Sequence, residues 1–284
     1  MTQKIIALVD GSIYSASVCD HAAWIARRTD AAVELIHVLG RREAPDRHDL
    51  SGAIKLGART ALLEELAELD ARRAKLVMHR GRAILEDALG ILEKAGVKDA
   101  TTRLRQGDIV EAVAEVEGDA GLIVIGKRGE AADFAKGHLG SNLERIVRAS
   151  HKPVFVAART FKPIGKVLVA YDGGVSAMKA VDHIARSALF QGLDIHVVTV
   201  GSATPQALKG LEDAKALLKA AGITAVTSVL SGQPETALVK HVEEGQFDLL
   251  VMGAYGHSRI RSLIIGSTTT AMIRACKIPV LLMR

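Results

Sequence analysis

Short, mostly apolar runs alternate along the chain with longer stretches in which apolar residues recur at every third or fourth position. The runs "IIALV" (5–9), "VELIHV" (33–38), "LIVI" (122–125), "VLVA" (167–170), "IHVVTV" (195–200) and "DLLVM" (248–252) have the length of strands. Because they are apolar on both faces, they predict buried parallel strands. The intervening stretches have the helical period and supply the covers such a sheet needs. The alternation predicts an α/β protein with helices on both faces of a parallel sheet.

The same order of elements occurs twice. "IIALVDGS" (5–12) resembles "VLVAYDGG" (167–174), "GLIVIGKRG" (121–129) resembles "DLLVMGAYG" (248–256), and "HLGSNLERIVRASHKPVFV" (138–156) resembles "IIGSTTTAMIRACKIPVLL" (264–282). Each copy reads β-α-β-α-β-α-β-α-β, which predicts two tandem repeats, each a five-stranded parallel sheet of Rossmann-like type. The join falls near "AARTFKPIG" (157–165), giving expected domains of 1–159 and 160–284. The copies lie 162 residues apart at Asp10 and Asp172 but 126 apart at Gly140 and Gly266. Most of the difference lies in 41–100, where the pattern predicts a long or broken helix. The second copy has the shorter "PQALKGLEDAKALLKAAG", with Gly222 as its stop. The final runs "HKPVFVA" and "KIPVLLM" are expected to pair edge to edge, making an intramolecular pseudo-dimer with no exposed edge at the join.

Composition narrows the setting. Across 284 residues, 49% are hydrophobic and 24% charged, which suits a soluble globular chain. The net charge of +5 is dispersed among acids, as in "TALLEELAELDARRAKL", so a solvated helix face is expected and no nucleic-acid partner. No apolar run approaches the ~20 residues of a membrane span, and the start lacks a signal-peptide layout. Cys19 and Cys276 match no metal or redox spacing and are expected to be buried thiols in a cytoplasmic protein.

Candidate chemistry lies in "GAYGHSRIRSLIIGST" (253–268), which follows an apolar strand and opens a helical pattern. Gly253 and Gly256 permit a sharp turn and close approach of a ligand to main-chain N–H groups. Gly266 and Ser267 open the last helix, whose free N–H groups and dipole favour an anion, with the Ser267 and Thr268 hydroxyls as further donors. Phosphate is the natural guest. Neither GxxxxGK[ST] nor GxGxxG is present. The rival explanation, a tight turn followed by a serine N-cap, is weakened by duplication of the whole pattern. Met252 is expected in the core, while His257, His138, Arg259 and Arg261 suit exposed loops as well as ligand contacts.

G-x2-G-x9-G-[ST] after the fourth strand, with Asp172 after the first, resembles the universal stress protein family in its tandem form, within the adenine nucleotide α-hydrolase-like superfamily. The resemblance spans the chain and implies ATP binding, with any Mg carried through the phosphates. It further implies that Asp172 meets the adenine or ribose and that the Val200 backbone meets the adenine edge. Gly253 and Gly256 would wrap the ribose and phosphates, which Gly266, Ser267 and Thr268 would receive. In the first copy the corresponding positions are Asp10, Val38, Gly126, Gly129, Gly140 and Ser141. There the loop encloses ten residues instead of nine and carries two acids, which Lys127 and Arg128 are expected to offset. No catalytic pair or metal cluster stands beside the motif, so at most slow ATP hydrolysis is expected. Two rivals remain: an ATP-dependent enzyme of the superfamily, and a non-nucleotide module binding a protein or small apolar ligand. Adenine nucleotide is the expected partner, with a second copy of the chain as a further candidate.

Overall fold

A computed structural model describes residues 4–40, 56–129, 140–254 and 266–284. The first half runs β1 (Lys4–Leu8), α1 (Ser15–Thr29), β2 (Val33–Leu39), α2 (Leu56–Lys94), β3 (Ala100–Gln106), α3 (Ile109–Ala114), β4 (Ala120–Gly126), α4 (Ser141–Ala149) and β5 (Val154–Ala157). The second runs β6 (Lys166–Ala170), α5 (Val175–Arg186), β7 (Asp194–Val200), α6 (Pro205–Ala220), β8 (Ala225–Leu230), α7 (Pro234–Glu244), β9 (Leu249–Gly253), α8 (Ser267–Ala275) and β10 (Val280–Met283).

The strands form one sheet in the order β3-β2-β1-β4-β5-β10-β9-β6-β7-β8. Within each half every pairing is parallel, as the doubly apolar strands require. The join is antiparallel: Val280, Leu281 and Leu282 of β10 stand opposite Val156, Phe155 and Val154 of β5. This is the expected edge-to-edge addition, and it gives each short final strand a partner on both sides.

Two apolar layers cover the sheet, and each passes through both halves. One contains Trp24, Phe155, Phe190 and Leu281; the other contains Ile123, Ile146, Met272 and Leu282. Arg28 of α1 reinforces the join by donating to the Leu189 carbonyl at 2.7 Å. Its guanidinium also lies 5.6 Å from the centroid of the Trp24 ring.

Local signals set the helix ends. Thr204 caps α6 by accepting from the Ala207 N–H, and Pro205 takes the first helical position where no donor is needed. Gly222, at φ 77°, follows the end of α6 as the expected stop. In the first half the long pattern is one helix from Leu56 to Lys94, ended at Gly96 with φ 80°. Residues 41–55 of the enlarged region lie outside the described residues.

Candidate functional site

The site begins where β1 and β6 end. Asp10 and Asp172 are followed by Gly11 and Gly173, whose φ angles of 77° and 76° lie in the left-handed region. That turn lets each carboxylate accept from the N–H two residues on: Ser12 to Asp10 Oδ1 at 3.0 Å, Gly174 to Asp172 Oδ1 at 2.8 Å. In the first copy the Ser15 hydroxyl also donates to Asp10 Oδ1 and accepts from the Asp10 and Gly11 N–H groups. Ala177 stands in the matching place of the second copy and offers no hydroxyl.

Beside these carboxylates the fourth strand of each copy ends in a glycine for a packing reason. A Cβ on Gly126 would lie 2.8 Å from the Tyr14 Cβ, and one on Gly253 would lie 2.9 Å from the Ser176 Cβ. The missing side chain lets the first turn of α1 or α5 press against the strand end. The chain then returns to open the last helix of each half. Gly140 N–H donates to the Lys127 carbonyl, and Gly266 N–H to the Ala254 carbonyl, both at 3.3 Å. Gly140 and Gly266 are N-caps and carry no side chain to cap their helices, so Ser141, Ser267 and Thr268 bring first-turn amides to the sheet end that holds the carboxylates. The Thr269 hydroxyl fastens α8 from beneath, donating toward the Gly253 and Ala254 carbonyls at 3.2 and 3.3 Å.

In the first copy the assembly is tight. A Cβ on Gly129 would meet Asp10 Oδ2 at 2.7 Å, and one on Gly140 would lie 3.6 Å from the Gly129 N. Val38 and Val200 occupy the carboxyl ends of β2 and β7, half-buried on one apolar layer. Gly256, Tyr255, His257, Arg259, Arg261 and His138 lie outside the described residues.

Comparison with known sequences identifies this arrangement. A sequence model of the universal stress protein family matches residues 1–158 and 163–284. The chain belongs to that family. A universal stress protein of Synechocystis sp. is 39% identical over 286 residues, which span 99% of this chain and 100% of the relative. One of Mycolicibacterium smegmatis is 25% identical over 300 residues, spanning 99% of this chain and 96% of the relative. The crystal structure of a universal stress protein from Archaeoglobus fulgidus shares the fold at a TM-score of 0.72, with 22% identity, 99% coverage of this chain and 98% of that one.

The two copies of this universal stress protein are not equivalent at the strand ends. In the first, a Cβ on Gly11 would meet the Ile84 side chain of α2 at 2.8 Å. One on Gly81 would meet Leu104, His37 and Leu39 at 2.8–3.1 Å, so α2 lies on the ends of β2 and β3. In the second, nothing among the described residues stands within 4 Å of the equivalent position on Gly173. Among the described residues, Ile84 stands against the turn that follows Asp10, and no side chain stands against the turn that follows Asp172. The length of the 41–100 pattern hints at such a cover, but not at where it falls.

Lys127 corrects an expectation. The loop acids lie outside the described residues, but Lys127 itself is buried, and its Nζ donates to the carbonyls of Cys276 and, at 3.1 Å, Ile278 in the other half. Burial pushes its ammonium down to about 8. Reciprocally, Arg284 Nη1 donates to the Ser150 carbonyl at 2.7 Å and to those of Arg148 and Ala149. Each helix that opens at a candidate anion site is therefore closed at its carboxyl end by a cation from the other half, where the helix dipole favours positive charge. The sequence signal was weak: a lysine straight after a strand-ending glycine, and an arginine straight after the last strand.

Among the described residues no three His, Cys, Asp or Glu side chains gather as a metal site, and no helix is long and apolar enough to cross a membrane. Cys19 and Cys276 are free and buried, and burial pushes their thiols up to about 12 and about 11.

Proposed function

We propose that this protein is an ATP-binding tandem universal stress protein, and that its second repeat, residues 160–284, holds the principal site. One observation carries the reading. The first turn of α8, opened by a glycine N-cap, and the Asp172 carboxylate share one end of the sheet, and among the described residues nothing stands within 4 Å of a Cβ on Gly173. Amides suit phosphate, and a carboxylate suits amino and hydroxyl donors. In this division Asp172 takes the nucleoside, the Val200 backbone lines the adenine, Gly253 and Gly256 shape the loop, and Gly266, Ser267 and Thr268 take the phosphates. The first repeat, residues 1–159, presents Asp10, Val38, Gly126, Gly129, Gly140 and Ser141, but Ile84 crowds the turn at Gly11, so it binds more weakly or not at all. A divalent ion would ride on the phosphates without protein ligands.

Nucleotide occupancy would act by shifting a conformational or assembly equilibrium according to its differential affinity, in a regulatory stress response with at most slow hydrolysis. Two buried free thiols suit a reducing, cytoplasmic setting. Calorimetric titration with ATP tests the assignment. Gly266→Val should weaken binding by tenfold or more, about 1.4 kcal/mol, because the isopropyl group enters the phosphate space. Gly140→Val should leave the titration nearly unchanged. Equal effects from both variants, or none from Gly266→Val, would refute the division of labour.

A further inference from the structure

We propose that the amino-terminal half of α2 is a self-association arm that pairs antiparallel with the same arm of a second copy of this chain. At 39 residues α2 is about 58 Å long, against about 23 Å for the seven-residue strands β2 and β3 beneath it. Its buried positions begin at Gly81 and continue through Leu85, Ala88 and Leu92. Ahead of them Leu62, Leu63, Leu69 and Leu76 are 37%, 44%, 54% and 70% exposed. The equivalent helix α6 has only 16 residues, so the overhang belongs to the first repeat alone.

Three of these exposed leucines share a stripe with the half-buried Leu66. Leu62, Leu66, Leu69 and Leu76 follow a four-three-seven spacing that places them in one stripe, shared with Arg73 and Arg80, with the heptad period of a two-helix seam. A helical arm this long, with little tertiary cover among the described residues, is marginal in water, and the stripe is what a partner helix would bury.

Charge order selects the partner and its direction. Residues 64–70 carry Glu64, Glu65, Glu68 and Asp70 and no base; residues 72–82 carry Arg72, Arg73, Lys75, Arg80 and Arg82 and no acid. Two parallel arms would set acid on acid and base on base. An antiparallel pair sets the acidic block of each chain against the basic block of the other, so the arm is complementary to itself. With the two-fold axis near Ala71, Leu66 faces Leu76 of the second copy, and the aliphatic stem of Arg73 covers the second copy's Leu69.

The test uses the full-length protein. Sedimentation equilibrium should show a dimer at micromolar concentration that weakens as salt rises, since the blocks attract through solvent. Leu69→Glu with Leu76→Glu should raise the dimer dissociation constant at least about a hundredfold, because four leucine contacts are lost across the symmetric pair. Both positions are exposed in the single chain, so its unfolding curve should not move. Under mild oxidation, Leu66→Cys mixed with Leu76→Cys should cross-link, while neither variant should cross-link alone. A monomeric wild type, whatever else then binds the arm, would overturn the proposal. So would a dimer indifferent to the double substitution, or cross-linking of either variant with itself.

Discussion

Gly253 shows how one position serves two demands. Its absent side chain is needed for packing against Ser176 whether or not a nucleotide is present, so Gly253→Ala should destabilise the fold by about 1–3 kcal/mol in urea unfolding. His21 makes a pH-dependent contribution. It is fully buried between Phe155 and Phe161, its Nδ1 lies 2.6 Å from the Ser17 carbonyl, and its Nε2 has no hydrogen-bond partner among the described residues. Burial pushes its imidazole down to about 4, only partly opposed by the Ser17 bond. The unfolded chain therefore binds a proton near pH 6.5 that the folded chain refuses until about pH 4. Stability should fall by about 3 kcal/mol as pH drops through that window, and His21→Leu should remove that share of the slope. The sequence marked the glycines, whose backbone roles are local. It gave no sign of His21's isolation, which comes from aromatic rings at positions 155 and 161.

At the scale of elements, α4 and α8 are joined to the opposite half through Arg284 and Lys127. Lys127 has the reverse sign from a surface ion pair. Its ammonium titrates near 8 in the fold and near 10.5 when unfolded, so unfolding takes up a proton between those values. Stability should rise by about 3 kcal/mol as pH climbs through that window. Lys127→Met should abolish the rise, measured by urea unfolding from pH 8 to 10.5. The periodicity located the helices, including the long one, since a helix buries a stripe its own spacing defines. It could not aim a lysine at carbonyls some 150 positions away.

At the scale of the molecule, the antiparallel β5–β10 pair makes one sheet and two shared cores from two copies. Phe155 is fully buried at that seam, so Phe155→Ala should cost about 3–5 kcal/mol. Because both layers cross the seam, unfolding should stay a single transition; two separated steps in calorimetry would show that the copies melt independently. The α/β class, the duplication and the seam strands were legible in the sequence alone, because strand and helix periods and turn glycines are fixed by neighbours in the chain. Which glycine turn α2 covers, where α2 lies and what Lys127 holds were decided by tertiary structure. Each depends on contacts between distant residues, Ile84 on Gly11 and Lys127 on Ile278, and no local pattern encodes which of many apolar or charged side chains will meet.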